Sequence, residues 1–122
     1  KDFIVRDPIY TDGESLTLIG NIDPNSVIAI LKGKDAKLIQ AAHEAASIAA
    51  SHAEKECDSV LLIDCISRYL FLEERFKEEL EAISSAYAPT TILWGVLSLG
   101  EIANANEEGI EFYNNTCVVG TL

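Results

Sequence analysis

The sequence predicts an α+β fold with two layers, in which a mixed β-sheet carries two helices on one face. Two long stretches have apolar residues at helical spacing, one within residues 35–56 and one within residues 69–87. Between them lies a continuous apolar run of strand length, residues 59–65. Strand patterns also precede and follow these segments, so the predicted order is β-β-β-α-β-α-β-β.

The first part of the chain is predicted to form a β-hairpin followed by a third strand. Residues 3–22 consist of two extended segments around an Asp-Gly pair at residues 12–13, which supplies the positive backbone angles of a tight turn. An Asp-Pro-Asn sequence at residues 23–25 is a second turn signal. The apolar run that follows, residues 26–31, has the length of a strand.

The first predicted helix begins at Asp35, whose side chain suits an N-cap, and continues to about Glu56 without glycine or proline. One face of this helix carries small or apolar residues three or four positions apart. They are Leu38, Ala42, Ala45, Ala49 and Ala53. A smooth alanine face allows a helix to lie close against a sheet.

The run at residues 59–65 is apolar until Asp64 and Cys65, a pattern typical of a central strand covered on both faces. Its polar end is where a binding site is expected to open. The second helix follows it and ends before Pro89, with an apolar stripe opposite a charged side. The stripe consists of Tyr69, Leu72, Phe76, Leu80, Ile83 and Tyr87.

The last part of the chain predicts two further strands, at residues 91–102 and 111–122. Gly95 and Gly100 interrupt the first of them, and a glycine inside a strand indicates a bulge or a close backbone contact. Turn-forming residues at 104–109 connect the two strands, which are therefore expected to pair as a hairpin.

Length and composition indicate a single domain, residues 1–122, in a reduced compartment. The formal net charge is −11 and the nine Lys and Arg residues are scattered, which argues against nucleic acid or an anionic membrane as partner. Three cysteines without a C-x-x-C pair favour the cytoplasm. The chain begins with Lys1 and contains no methionine, so we expect it to be a piece of a longer polypeptide.

Common catalytic and cofactor motifs are missing from the sequence. There is no phosphate-binding glycine loop, H-E-x-x-H, nucleophile elbow or EF-hand loop, so we predict no cofactor and no catalytic residue. His43 and His52 lie nine residues apart on the first helix, too far from each other to share a metal ion. No metal site is therefore predicted.

Polar residues at the ends of predicted strands are the candidate ligand-binding residues. Arg68 follows the carboxyl end of the central strand, where ligands bind in open sheets, and its guanidinium could hold a carboxylate. A salt bridge to Glu73 or another nearby acid is an equal alternative. Glu101 follows Gly100 at the end of an apolar strand, and its alternative is a solvated strand terminus.

Asn114 and Thr116 lie on one face of the last predicted strand. If the two final strands pair, Glu101 and Asn114 come close together beside Arg68. We therefore expect these side chains to converge on one pocket able to hold a zwitterion.

These clusters, from about Leu18 to Leu122, resemble the FIST C-terminal domain, the sensory domain of F-box and intracellular signal transduction proteins. The family pattern has Cys-x-Gly-Arg after the central strand, Gly-Phe followed by Gly-Glu-Ile, and Asn-x-Thr in the final strand. The residues that fit are Cys65, Arg68, Gly95, Gly100, Glu101, Ile102, Asn114 and Thr116. The residues that depart from it are Ser67, Val96, Leu97 and Leu99, and the last three imply an aliphatic lining without a ring to stack on a cation.

The resemblance implies a bacterial, cytoplasmic sensory module without catalytic activity, which binds a small molecule such as an amino acid. The ligand-binding residues that it implies are Cys65, Arg68, Gly100, Glu101, Asn114 and Thr116. Its implied partners are the ligand, a FIST N-terminal domain and a signalling output domain, with self-association left open.

Two other functions stay open on the sequence. The first is an enzyme in which Cys65 attacks an acyl or amidine carbon while Glu101 acts as acid or base. The second is a structural or dimerisation domain, in which the motif residues hold loops together.

Overall fold

The computed structural model of the protein describes residues 4–53, 57–104 and 109–122. Its helices are α1 (Asp35–His52), α2 (Ile66–Leu72) and α3 (Phe76–Ser84). Its strands are β1 (Pro8–Thr11), β2 (Leu16–Leu18), β3 (Ser59–Cys65), β4 (Ile92–Ser98), β5 (Glu101–Ala103), β6 (Glu111–Tyr113) and β7 (Cys117–Thr121). Helices combined with a mixed sheet confirm the predicted α+β class.

The main sheet has three strands in the order β4-β3-β7, so β3 is its central strand, as its apolar run predicts. β3 is parallel to β4 and antiparallel to β7. In this register Leu62 lies opposite Gly95 on one side and Val119 on the other. The strand that leads to the candidate site is thus held from both edges.

Both long helices pack on the same face of this sheet. The buried core consists of Ala42 and Ala46 from α1, Leu62 from β3 and Ile83 from α3. Ala42 and Ala46 are almost fully buried, and their small side chains let α1 lie close to the sheet. Ala42 belongs to the predicted alanine face of α1, whereas Ala46 was not included in it, so the helix is turned slightly from the predicted orientation.

The opposite face of the sheet is open among the described residues. Leu61 and Ile63 of β3 are half-buried there, whereas Trp94 and Val96 of β4 are 52% and 61% exposed. The prediction that β3 is covered on both faces therefore holds for one face only. Strand alternation places these apolar side chains on the side away from the helices.

The segment at residues 26–31, which was predicted as a strand, does not form a strand in the structure. This segment lies in the open, with Val27 and Ile30 essentially fully exposed. Apolar residues of strand length form a strand only where a neighbouring edge supplies hydrogen-bond partners, and no described strand pairs with this segment.

The predicted second helix is divided into α2 and α3 by a 3-10 turn, Glu73–Arg75. Glu73 adopts a positive φ of 50°, which ends α2. The apolar stripe continues across the break, where the rings of Tyr69 and Phe76 meet edge to face at 5.3 Å between centroids. The stripe alone does not reveal the interruption.

The two long C-terminal strands are each divided as well, and their halves join different sheets. β4 and β7 belong to the main sheet, whereas β5 pairs with β6 in a separate antiparallel ribbon. The first division lies at Gly100, where an added Cβ would overlap the Phe112 ring, and the second lies at Asn115, with φ 58°. The predicted pairing of the last strands therefore survives only in β5 and β6.

At the start of the chain, β1 and β2 form the predicted hairpin around Gly13, whose φ is +93°. Helix α1 begins at Asp35 as predicted, but its N-cap is Lys34, which makes no capping bond. The predicted end of this helix near Glu56 and most of the turn at 104–109 lie outside the described residues.

Gly95 permits the close pairing of β4 with β3, because an added Cβ would overlap the Leu62 carbonyl. We expect Gly95→Ala to lower the free energy of unfolding by about 1–3 kcal/mol, as overpacking does. Gly120→Ala on β7 is the matched control, since no heavy atom lies within 4 Å of its Cβ position. Urea denaturation measures both variants, and equal losses would contradict the close approach at Gly95.

Candidate ligand-binding site

The candidate site lies at the carboxyl end of β3, where the chain passes directly into α2. Side chains alternate along a strand, so Asp64 and Cys65 project to opposite faces of the sheet. Asp64 belongs to a cluster on the helix side, and Cys65 belongs to a second cluster on the other side.

Arg68 is the centre of the first cluster and is 3% exposed. Its Nε and Nη2 both lie 2.9 Å from Glu79 Oε1, and its Nε lies 3.3 Å from Asp64 Oδ1. Nη2 also donates to the Leu38 carbonyl at 2.9 Å, and Nη1 donates to the Asn115 carbonyl at 3.4 Å. Arg68 therefore forms a buried ion pair, with Glu79 and Asp64 as partners in place of Glu73.

The first cluster holds two carboxylates against one guanidinium. Because the Nε hydrogen points to Glu79, Asp64 Oδ1 makes only an ion-pair contact, and both Asp64 oxygens lack a hydrogen-bond partner. Glu79 Oε2 lacks one as well. Burial, followed by the negative charge of Glu79, raises the pKa of Asp64 to about 7.

Cys117 of β7 lies beside these carboxylates, and ligand atoms of Asp64, Glu79 and Cys117 are within 4.8 Å of one another. Such donors can bind a metal ion, but burial raises the pKa of the Cys117 thiol to about 12, which adds to the cost of releasing its proton to a metal. Arg68 also places a positive charge in the same cluster. The donor set is therefore better suited to hydrogen bonds than to a metal ion.

Glu101 is fully buried in the second cluster, so its predicted alternative as a solvated strand terminus is wrong. Its Oε1 accepts a hydrogen bond from the Ser98 hydroxyl at 2.6 Å. Its Oε2 accepts bonds from the Thr116 hydroxyl at 2.8 Å and the Thr116 backbone N–H at 3.4 Å. Glu101 thereby ties the end of β4 to the start of β7.

Asn114 is also fully buried, and it connects two further segments. Its Nδ2 donates to the Leu99 carbonyl at 3.2 Å, and its Oδ1 accepts the Asp7 backbone N–H at 3.4 Å. Cys65 is fully buried nearby, with Sγ 3.9 Å from Asp7 Oδ2, and burial raises the pKa of its thiol.

Arg68 and Glu101, which were expected to converge on one pocket, lie on opposite sides of the turn at residues 114–116. The polar contacts of the predicted site residues are with the protein itself. Arg68 holds the Asn115 carbonyl from the helix side, whereas Glu101 holds Thr116 from the other side. No contact joins the Arg68 guanidinium to the Glu101 carboxylate among the described residues, where each charge has other partners. Gly100 packs against Phe112.

A cleft of about 240 Å³ opens next to the first cluster, between β4 and α3. Its lining is apolar except for Asp64. The lining residues are Leu62, Asp64, Phe76, Leu80, Leu93, Trp94, Gly95, Val96 and Leu97. Five consecutive residues come from β4, which is an edge strand of the described sheet, so its free edge forms one wall.

Sequence reasoning placed a site at the end of β3 but did not assign Asp64 or Glu79 to it. Asp64 could have been recognised in the sequence as a charged residue near the end of an otherwise apolar strand. Val96 and Leu97, where the sequence departs from the FIST pattern, line the cleft. The lining of this cleft also contains Phe76 of α3, and the aliphatic character expected from Val96, Leu97 and Leu99 stays a prediction for the ligand site.

The family model for the FIST C domain matches residues 1–104. The chain belongs to this family. The match contains Arg68 and Glu101 but ends before Asn114 and Thr116, and it begins earlier than the resemblance near Leu18 suggested. FIST C domains are sensory domains of signal-transduction proteins and are not a known enzyme family.

No curated protein and no solved structure matches this FIST C domain. Across the described part of the chain, every helix is too short or too polar to cross a membrane.

Replacement of Arg68 tests the buried ion pair. We expect Arg68→Leu to lower the free energy of unfolding by about 3–5 kcal/mol, because it leaves Asp64 and Glu79 buried without a counter-charge. Arg75→Leu is the control, since Arg75 pairs with Asp35 and Glu78 at the surface and its loss should matter little. Chemical denaturation compares them, and similar losses would refute the buried pair.

The raised pKa of Asp64 predicts a pH dependence of stability. The pKa of Asp64 rises from its ordinary value of 3.8 to about 7 in the folded protein. Between these pH values the folded protein therefore binds a proton at Asp64 more tightly than the unfolded chain does. The stabilising contribution is therefore complete below about pH 4 and is lost as the pH rises through about 7. We expect Asp64→Asn to flatten the stability profile in this window.

The control for this pH series is Asp12→Asn. Asp12 is exposed, and backbone hydrogen bonds from Ser15 and Glu14 lower its pKa to about 2. Its contribution has the opposite sign, because it is present above its ordinary pKa and is lost at more acidic pH. If both variants changed the profile between pH 4 and 7 in the same way, the assignment to Asp64 would fail.

Proposed function

We propose that this FIST C domain is the small-ligand-binding sensory domain of a bacterial, cytoplasmic signal-transduction protein, with an amino acid as its ligand class. We further propose that the ligand occupies the cleft between β4 and α3. The observation that carries this proposal is the buried Asp64 carboxylate, which lines the cleft and has no hydrogen-bond partner on either oxygen.

An unpartnered buried carboxylate is costly, because it loses its hydration without a replacement. A ligand that donates hydrogen bonds to Asp64 recovers part of that free energy. Ligand sites combine an apolar wall with a few polar groups of this kind, and the lining of the cleft has that composition. A charged group at the base of a small apolar cleft therefore supports ligand binding.

The cleft is also suited to transmit occupancy. Its two walls, β4 and α3, are separate elements, and α3 packs against α1 through the core residues Ile83 and Ala46. A ligand that bridges the walls favours one distance between them and so biases the position of the helical layer. We propose that a signalling output domain detects this change, together with a FIST N-terminal domain in the full-length protein.

Direct contact with the ligand stays a prediction for the six residues that the sequence singled out. They are Cys65, Arg68, Gly100, Glu101, Asn114 and Thr116. We propose for them the supporting role that their contacts favour, which is to hold the turn at residues 114–116 against the end of β3. By this proposal they keep Asp64 in place, and the ligand contacts are made by the residues of the cleft.

The alternative as a Cys65-dependent enzyme receives no support from the geometry. A nucleophilic cysteine needs a thiolate, whereas burial raises the pKa of this thiol. His43 is committed elsewhere, with Nδ1 2.9 Å from the Ala82 carbonyl. A dimerisation role or self-association is compatible with the proposed function, since both can coexist with an occupied cleft.

Thermal unfolding with the twenty amino acids, one at a time, tests the proposal. A ligand at 100 times its dissociation constant adds about 2.7 kcal/mol to the free energy of unfolding, which raises the melting temperature by several degrees. We expect at least one amino acid to produce this shift in the wild type.

A pair of variants on β4 shows whether the shift comes from the cleft. Leu97 lines the cleft and lies opposite Asp64 in the strand register, so Leu97→Trp should fill the cleft and abolish the shift. Ile92→Trp places the same side chain on the same strand outside the lining and should preserve it. If none of the twenty amino acids stabilised the wild type, the result would contradict the amino-acid sensor and favour a structural role.

A further inference from the structure

We infer that the group recognised in the cleft is a protonated primary amine on a short apolar chain, with Asp64 as its counter-ion, and that a ligand carboxylate is dispensable. This inference rests on the proposed function and narrows its ligand class. It predicts that an amine without a carboxylate binds at least as well as the corresponding amino acid.

The first argument is the charge of the lining. Of the described residues that form the cleft, Asp64 alone carries a charge, and the others are aliphatic or aromatic or glycine. An ammonium group has three N–H donors and no acceptor, and both oxygens of Asp64, which are buried at the lining of the cleft, lack hydrogen-bond partners. The donors of the ligand and the acceptors of the site are therefore complementary.

The second argument is the charge balance behind the lining. Asp64 and Glu79 together carry one more negative charge than Arg68 neutralises when both acids are ionised. A buried, uncompensated charge is unfavourable, so the cluster must take up either a proton or a cation. Without a ligand, burial and the negative charge of Glu79 raise the pKa of Asp64, so the cluster binds a proton more readily.

The third argument concerns the carboxylate of an amino acid. Arg68 is the cation nearest to Asp64 in this cluster, and its donors already hold Glu79, Leu38 and Asn115. The lining residues provide no other cationic side chain. A ligand carboxylate inside the cleft would therefore lose its hydration without gaining a counter-ion.

The size of the cleft limits the ligand to a small molecule. Its volume of about 240 Å³ lies just below the range of about 300–1,000 Å³ that is typical of ligand pockets, so a small molecule fits. Phe76 of α3 belongs to the lining, and aromatic faces attract ammonium groups and their adjacent methylenes.

The experiment uses four probes with the leucine side chain, measured by isothermal titration calorimetry. They are leucine, isoamylamine, isoamyl alcohol and 4-methylpentanoate, which carry both charged groups, the amine alone, a neutral hydroxyl and the carboxylate alone. We expect isoamylamine to bind the wild type at least tenfold more tightly than the alcohol and the carboxylate, and no more weakly than leucine. We expect Asp64→Asn to remove the preference for the amine.

The affinity for isoamylamine should also rise between pH 6 and pH 8, because the amine competes with a proton for Asp64. The groups that face Asp64 are Arg68 from α2, Glu79 from α3 and the thiol of Cys117 from β7, while β4 contributes apolar residues. Leu97→Trp, which fills the cleft without changing a charge, should abolish binding of every probe and serves as the second variant if Asp64→Asn does not fold.

The outcomes separate this inference from the proposed function. Binding of leucine without binding of isoamylamine would overturn the inference and leave the amino-acid sensor standing. Equal binding of amine and alcohol would overturn it as well, since the cleft would then recognise only the apolar chain. Stabilisation by Zn²⁺ alone that Cys117→Ser abolishes would assign the cluster to a metal ion instead. Absence of binding by all four probes would reject the amine class, and the amino-acid panel would then decide the proposed function.

Discussion

The buried guanidinium of Arg68 is the interaction on which the arrangement of the candidate site depends. It joins side chains of β3 and α3 with backbone carbonyls of α1 and of the turn at residues 114–116. A charge that is 3% exposed needs several good partners to offset its lost hydration, and these four segments supply them. Displacement of any one of them leaves a donor or a carboxylate unpaired, so the segments are coupled in position.

The second cluster fixes the same turn from the opposite side of the sheet. Glu101 accepts hydrogen bonds from two hydroxyls and one backbone N–H, and Asn114 bonds two backbone groups, so both residues fix the path of the chain. Between the two clusters the end of β3 has little freedom. Asp64, which belongs to the lining of the cleft, is therefore held in place by a rigid frame.

Long periodic segments could be predicted from the sequence, whereas their interruptions and partners could not. The alanine face of α1 and the apolar run of β3 are repeated over enough residues to determine element type and layer. The break at Glu73 left no signal, because a non-glycine residue adopts the positive φ within an unbroken apolar stripe. The strand predicted at residues 26–31 required a partner edge, which a local pattern does not describe.

The charged residues near the end of β3 could be recognised in the sequence, whereas their partners could not. Arg68 and Glu101 stood out as charges at strand ends, and the structure places them there. Their burial depends on which glutamate of α3 turns inward, and Glu79 lies within a run of acidic residues that look alike in sequence. A pairing between residues eleven positions apart across a helix break is a tertiary property.

The open face of β4 and the exposed apolar segment at residues 26–31 affect the behaviour of the protein in solution. Exposed apolar strands and free sheet edges are templates for pairing between molecules. A net charge of −11 opposes such contacts through repulsion between molecules. This repulsion is screened by salt, with a Debye length of about 10 Å at 0.1 M and about 3 Å at 1 M. The colloidal stability of the isolated chain is therefore governed by ionic strength, and low salt is the condition that keeps it monodisperse.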